Sequence, residues 1–387
     1  MNKIIIFDAS AFSWTGSSTY ISDFISHLGS RLDTTFFIIA PQRCVSSFLH
    51  VSSPNIRFFS LDSFFLSRIF GKFIAKHLLL FYVSCLAWSK RTDFAILINS
   101  TFIVIPFVSR STRVWHNSLH LADIPSTLLM QSPIRFFRLY FESLLDRLYY
   151  HITFSHVFPS LYCRNLVYQR YGINLSSVLI PHSLGYLHEL NLRAKSLPYH
   201  KSDRLRYSTI NIVYVAAVES YKNHSIALDA FRLLRGHSLY HRLRFYFVGP
   251  LVHRASVDAI RSSDEFRQSK LILCGRIPFS EIVSILESCH ISLALSSTET
   301  FGYPVPESFA FGIPLIAYDQ QCNKELAGHS ALYIRSSSEL ADAILAIALS
   351  PDSYLDWSHN AFERFDYLKE YCGKYVDKIL RATCCND

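Results

Sequence analysis

The sequence lacks any apolar stretch long enough to cross a membrane. The apolar runs Leu78–Ser89 and Phe94–Ser109, free of charge and histidine, both fall short of the roughly 18 residues that a spanning helix needs. Glycine and proline are sparse, 12 and 14 residues among 387, which excludes a collagen-like or low-complexity scaffold. Charged residues are only 18% against 50% apolar, far from the composition of a disordered chain. There is no CxxC pair, no Asp-x-Asp, no HExxH and no close His/Cys set, so the sequence implies neither a metal nor a bound cofactor. The absence of a GxSxG elbow and of a Walker GxxxxGK[ST] argues against a hydrolase of that kind and a P-loop kinase. The nine cysteines are odd in number, and several sit in strand-like runs. They read as reduced thiols of a cytosolic protein. Lys3, followed by Ile4–Phe7 and then Asp8, reads as a buried strand rather than a secretory leader.

What is present points to two α/β domains. Apolar runs at Lys3–Phe7, Phe36–Ala40, Ile56–Phe59, Phe94–Ile98, Arg113–His116 and Ile152–Phe158 do not alternate with polar residues, as expected of parallel strands covered on both faces. A polar, aperiodic stretch follows. The pattern then restarts with strands Ile210–Ala216, Arg244–Val248, Lys270–Cys274, His290–Leu295 and Leu315–Tyr318. Helices are expected between them at His224–Leu234, Ser280–Ser288 and Glu307–Phe311. Strands about 25 residues apart with helices between them make βαβ units and a doubly wound sheet. The expected organisation is a first domain over 1–184, a linker over 185–209, a second domain over 210–355, and a C-terminal helix over 356–387 packing back toward the first domain. In that tail Tyr367, Tyr371 and Tyr375 recur at spacing four.

Charge is unevenly spread. The net charge is +8, and residues 1–180 hold sixteen basic against eight acidic residues, so the first half carries the whole excess. That half is expected to meet something anionic. In Phe64–Lys90 the basic residues Arg68, Lys72 and Lys76 recur every four positions among large apolar side chains, and on a helix they share one face. Ile134–Tyr150 repeats the theme with Arg135, Arg138 and Arg147. Basic amphipathic helices of this kind lie on anionic membrane surfaces. No nucleic-acid partner is expected, because the basic residues are embedded in aliphatics without a recognisable binding signature.

The stretch Ser296–Pro314 carries the chemistry. Glu299 and Glu307 stand eight residues apart across a loop with Gly302, Pro304 and Pro306, between two apolar runs. Two carboxylates at a strand-to-helix turn suit a polyhydroxylated ligand, since one carboxylate can accept both hydroxyls of a diol. Gly302 lets the backbone approach a ligand closely, and Pro306 ahead of Glu307 favours a helix start. In the first half, Thr15-Gly16-Ser17-Ser18 precedes a helix, where a small-residue loop can cradle phosphate. His116 closes a strand and could donate a hydrogen bond to a ligand hydroxyl, with His120 and His182 as weaker candidates.

The E-x7-E spacing within STETFGYPVPESFAFGIPLIAYD resembles the retaining GT-B glycosyltransferases of family GT4. So do FVGP, CGRIP, Tyr221-Lys222-Asn223-His224 before a helix, Lys324-Glu325-Leu326-Ala327-Gly328, IPHS at 180–183 and WTGSSTY at 14–20. The likeness is strong over roughly 210–335 and thin over 1–180. It implies two Rossmann-like domains facing across a cleft, and transfer of a hexosyl-type sugar from a nucleotide-sugar donor. By the same resemblance Glu307 would hold the donor ribose, Glu299 the donor sugar, and Lys222 the departing diphosphate. Amides near Phe301, Gly302 and Tyr303 would meet sugar hydroxyls and Val305 the ribose-phosphate region. Gly16 and His116 would lie close to the donor, and no divalent ion is needed. Members often carry an arginine a few residues before the lysine; here Ala216–Tyr221 has none, leaving Arg276 as a candidate replacement. The resemblance further implies a lipid-linked oligosaccharide acceptor in O-antigen or capsule synthesis, at the cytoplasmic face of the plasma membrane. The rival readings are a GT-B sugar-nucleotide epimerase or phosphorylase, and a non-catalytic sugar- or lipid-binding protein.

Overall fold

Runs of β-branched and aromatic residues build the strands. Lys3–Asp8 (β1) and Thr34–Ala40 (β2) are buried almost end to end, as strands covered on both faces must be. A computed structural model describes residues 3–9, 21, 24–28, 33–48, 53–62, 66–89, 94–98, 111–115, 133–174, 176–196 and 209–384. The chain divides into two compact units, one of Met1–Ser183 with Lys374–Asp387 and one of Leu184–Gly373.

In the first unit β1 and β2 are joined by Ile56–Ser60 (β3), Phe94–Ile98 (β4), Ser111–Val114 (β5), Ser155–Phe158 (β6) and Ser177–Leu179 (β7). The order is β3-β2-β1-β4-β5-β6-β7, and all pairs are parallel. Helices among the described residues of this unit include Gln42–Ser47 (α1), Leu66–Ser89 (α2), Pro133–Tyr150 (α3) and Leu161–Tyr171 (α4). Alternate residues of one strand serve opposite faces. Ile5 and Phe7 join Phe24, Ile25 and Leu28 on one side, while Ile4 and Ile6 join Leu79, Leu80 and Val83 of α2 on the other. The strand expected at Arg113–His116 lies two residues earlier and ends at Val114. The strand expected from Ile152 begins only at Ser155.

One ion pair sits inside this unit. Arg113 of β5 meets Asp146 of α3 at 2.7 Å, with their side chains 6% and 0% exposed, and the guanidinium lies 3.8 Å from the Trp115 ring centroid. Trp115 in turn donates to His156 Nδ1. Burial pushes the His156 imidazole down to about 4, against the upward pull of its bond to the Tyr150 carbonyl. The cluster therefore holds one compensated charge pair and a neutral ring.

The second unit opens with the turn Gly185–Leu187 and helix His188–Ser196 (α5). The 185–209 linker is thus corrected over its first part. The side chain of Asn191 donates to the Ala310 carbonyl, and Lys195 bonds both carboxylate oxygens of Asp366, which fastens α5 to this unit. Residues 197–208 lie outside the described residues. The sheet comprises Ile210–Val215 (β8), Leu243–Val248 (β9), Leu271–Gly275 (β10), Ile291–Ala294 (β11), Leu315–Tyr318 (β12) and Ala331–Ile334 (β13). Its order is β10-β9-β8-β11-β12-β13, again parallel throughout. The helices are His224–Leu233 (α6), Arg254–Arg261 (α7), Asp264–Arg267 (α8), Phe279–Ser288 (α9), Pro304–Ala310 (α10), Gln321–Ala327 (α11), Ser337–Ala348 (α12) and Pro351–Tyr371 (α13).

The C-terminal tail is two helices rather than one. Helix α13 stays with the second unit, where Ser358 donates to the Gly312 carbonyl and Arg364 to the carbonyls of Leu326 and Glu325. After Gly373, Lys374 turns left-handed at φ 56, and Tyr375–Cys384 (α14) belongs to the first unit. Tyr367 and Tyr371 stack on α13. Tyr375 leaves that series and packs edge-on against Phe24 and His182.

The Arg113–Asp146 pair generates a stability prediction. Asp146→Ala leaves a buried guanidinium uncompensated and is expected to cost about 3–5 kcal/mol. Chemical denaturation followed by circular dichroism checks it; a loss under about 1 kcal/mol contradicts the pairing.

Candidate active site

The strand order of the second unit reverses between β8 and β11. Connections leaving those two carboxyl ends diverge, and open α/β sheets take their ligands at such a point. The loop after β8 carries Lys222 and the loop after β11 carries Glu299. Local bonds fasten one loop to the other. Asn223, left-handed at φ 52, turns the chain into α6, and its side-chain amide donates to the Leu295 carbonyl at 2.9 Å. The Ser297 amide donates to the Tyr221 carbonyl at 2.9 Å. The buried Tyr214 hydroxyl donates to the Lys222 carbonyl at 2.7 Å and lies 3.3 Å from Ser296 Oγ.

These ties hold Lys222 Nζ against Glu299 Oε1 in an ion pair whose side chains are 13% and 17% exposed. Burial opposes the lysine's charge, but the Glu299 carboxylate outweighs it and holds the ammonium above its ordinary value. His224, the next residue but one, lies tilted against Tyr214 and edge-on to Phe247. Burial, helped by the Lys222 charge, lowers it to about 3, so it adds no second positive charge.

Glu307 lies on α10, which begins at Pro304 and not at Glu307 as the sequence suggests, because Pro304 occupies the first helical position. Gly302 takes φ 73 where the loop turns into this helix, a conformation that favours glycine. Glu307 is buried, and burial pushes its carboxyl up to about 7, partly offset by a bond from the Tyr186 hydroxyl to Oε1 at 3.0 Å. Tyr186 stands in the turn Gly185–Leu187, and its ring meets Phe279 and Tyr303 edge-on.

The structure therefore brings Lys222 and Glu299 together, with Gly302 beside the Glu299 side chain. Other expected residues fare differently. Phe301 and Val305 are 2% and 0% exposed, so neither side chain is open to a ligand. The Val305 amide already donates to the Gly302 carbonyl, which leaves it no free donor for a ribose-phosphate. Arg276 is exposed at the end of β10, two strands from β8, roughly 10 Å away by strand spacing. His182 is buried against Tyr375 in the first unit. Gly16, His116 and His120 lie outside the described residues. Sequence reading missed Tyr214 and Tyr186, which act through positions 8 and 121 residues distant. It also missed Asn323, whose amide ties the Ala294 and Tyr318 carbonyls together. A lone tyrosine in a strand carries no signal of such a bond. Among the described residues no three His, Cys, Asp or Glu side chains are grouped so as to hold a metal ion.

Glu307 is expected to titrate at about 7, measurable by carboxyl carbon NMR. Tyr186→Phe removes a donor to the charged form and raises that value further. The unfolded chain loses this proton at about 4.5, so the associated stability is full below that pH and is lost as pH rises toward about 7. Glu307→Gln is expected to abolish that decline; a titration at the ordinary glutamate value contradicts the burial.

Comparison with known proteins places this geometry. The family model described as glycosyl transferases group 1 matches residues 199–364. Among solved structures, Anabaena Alr3699/HepE in complex with UDP and glucose aligns with TM-score 0.69 at 13% identity, covering 97% of this chain and 99% of that one. Sucrose-phosphate synthase from Thermosynechococcus elongatus aligns with TM-score 0.72 at 13% identity over 98% of both chains. WaaG, a glycosyltransferase involved in lipopolysaccharide biosynthesis, aligns with TM-score 0.68 at 11% identity over 99% of this chain and 100% of that one. No curated protein matches the sequence. At these identities the structural likenesses show the GT-B fold, and the family match covers the unit that carries Lys222, Glu299 and Glu307. Residues 199–364 thus match the glycosyl transferases group 1 family within a chain of GT-B fold, and this match supports a glycosyltransferase.

Proposed function

We propose that this protein moves a sugar from a nucleotide-sugar donor to a lipid-linked saccharide acceptor with retention of anomeric configuration, as a GT4-type enzyme of bacterial O-antigen or capsule synthesis. The observation that carries the reading is the Lys222–Glu299 pair at the β8/β11 divergence, on the same lobe as the buried Glu307. One structural neighbour, Anabaena Alr3699/HepE, is solved with UDP and glucose and with UDP-glucose, and another acts in lipopolysaccharide biosynthesis; these support the donor class and the pathway class.

The roles follow from charge. Negative charge develops on the diphosphate oxygen as the bond to the anomeric carbon breaks, and a fixed cation lowers that barrier. Lys222 supplies it, exchanging its Glu299 partner for phosphate. Glu299, released, accepts hydroxyls of the donor sugar and faces the positive charge at the anomeric carbon. Glu307 accepts the ribose hydroxyls. The acceptor hydroxyl attacks from the leaving group's own face, forming the new C–O bond, and its proton passes to the departing phosphate oxygen. No metal and no bound cofactor enters the reading, since Lys222 answers the diphosphate charge.

The first unit is assigned to the acceptor and to an anionic membrane surface. No helix among the described residues is long and apolar enough to cross a membrane. Helices α2 and α3 nonetheless expose Phe81, Tyr82 and Trp88, and Phe137, Tyr140 and Phe141. The chain's whole positive excess lies in the same half. Exposed aromatics with basic charge favour the headgroup layer, which supports the reading of a peripheral enzyme at the cytoplasmic face. The side chains of Arg68, Lys72 and Lys76 lie outside the described residues.

Radiolabelled transfer from UDP-, GDP- and dTDP-sugars tests the chemistry. Glu299→Ala and Lys222→Ala are each expected to lower transfer by about 10²–10³-fold; undiminished transfer in both contradicts the roles. Sugar phosphate or epimerised donor formed without acceptor assigns an epimerase or phosphorylase instead. Donor-dependent thermal stabilisation without any turnover assigns a non-catalytic binder. Sedimentation with anionic vesicles tests the membrane: the wild type pellets, and joint change of Arg68, Lys72 and Lys76 to Glu leaves it in solution. Equal pelleting of both removes that assignment.

A further inference from the structure

Tyr186 is the residue that neither the sequence pattern nor the assigned roles use, and it sits on the carboxylate that the reading above gives to the ribose. It belongs to the first turn of the second unit, Gly185–Leu187, just past the point where the chain leaves the first unit. Its hydroxyl donates to Glu307 Oε1 at 3.0 Å. Its ring is held edge-on by Phe279 at 5.5 Å and by Tyr303 at 6.4 Å. The helix that follows is fastened to the far end of α10 by the Asn191 bond to the Ala310 carbonyl. The phenol is thus supported from several sides in the absence of donor, and it is not a dangling surface group.

A phenol O–H and a ribose O–H ask the same thing of a carboxylate. Gripping a cis diol requires both carboxylate oxygens, each accepting one hydroxyl. Glu307 is only 9% exposed, and the Tyr186 hydroxyl already occupies Oε1. We propose that Tyr186 is an affinity-setting residue of the donor site: its hydroxyl stands in for one ribose hydroxyl at Glu307, and a ribonucleotide must displace it to bind. This rests on the assignment of Glu307 to the ribose. It gives the carboxylate a donor, where an unpartnered buried one would be costly. It also sets donor affinity below what the pocket could reach, and it couples occupancy of the ribose site to the first turn after the unit boundary.

The test is calorimetric titration of UDP and of 2′,3′-dideoxy-UDP into wild type and Tyr186→Phe. Mildly alkaline buffer keeps Glu307 ionised in both proteins. Tyr186→Phe is expected to tighten UDP binding about three- to tenfold, the range of one net hydrogen bond, and to leave dideoxy-UDP binding unchanged. The ring contacts with Phe279 and Tyr303 persist in the variant, and an unchanged melting temperature shows that the fold is kept. Weaker or equal UDP binding in Tyr186→Phe overturns the inference, because the phenol would then be helping the diol or standing apart from it. An equal gain for both nucleotides also overturns it, since the effect would not pass through the ribose hydroxyls. If the wild type binds UDP no better than dideoxy-UDP, the assignment of Glu307 to the ribose fails first and the inference falls with it.

Discussion

The Lys222–Glu299 ion pair is the interaction on which the catalytic reading depends. It joins the loops leaving β8 and β11, the two strands between which the winding of the second sheet reverses. A buried pair of this kind is poor value as a source of stability, because removing both charges from water offsets much of their attraction. Under the proposed function it is a charge arrangement held ready for a ligand. The pair keeps an ammonium charged where burial alone would discourage it. The same lobe keeps His224 neutral and Glu307 close to half-protonated near neutral pH. Three ionisable groups are thereby set to three different states by burial and partner choice.

The rigidity of that arrangement comes from hydrogen bonds that do not involve the reacting groups. Tyr214, Asn223 and Ser297 tie the Lys222 loop to the end of β11, and Asn323 bridges the ends of β11 and β12. A flexible four-carbon side chain such as lysine's makes a useful electrostatic partner only when its backbone is held. Here the backbone carbonyl of Lys222 is itself an acceptor, so the loop is positioned through atoms that leave the ammonium free to change partner.

Much of the second unit was legible in the sequence. Apolar runs about 25 residues apart marked its strands, and the glutamate spacing across Gly302 and two prolines marked the loop that matters. What remained hidden depended on long-range contacts. Residues 188–196 look like a polar linker because α5 is short and carries Asn191, Arg193 and Lys195; it is a helix because Asn191 and Lys195 find partners on α10 and α13. The spacing of Tyr367, Tyr371 and Tyr375 looks like one helical face, but Gly373 and the left-handed Lys374 break it. The first unit was harder. Strand β7 has three residues, too few for a pattern, and the charged Arg113 sits inside β5 because Asp146 answers it from α3. Gly16 and His116 lie outside the described residues, so their assignment rests on resemblance.

The most direct measurement of the central claim is a crystal structure of the protein with a bound nucleoside diphosphate. The account requires the terminal phosphate on Lys222 Nζ, Glu299 parted from that lysine, and both ribose hydroxyls on Glu307. A diphosphate bound elsewhere on the lobe, with the Lys222–Glu299 pair intact, would contradict it.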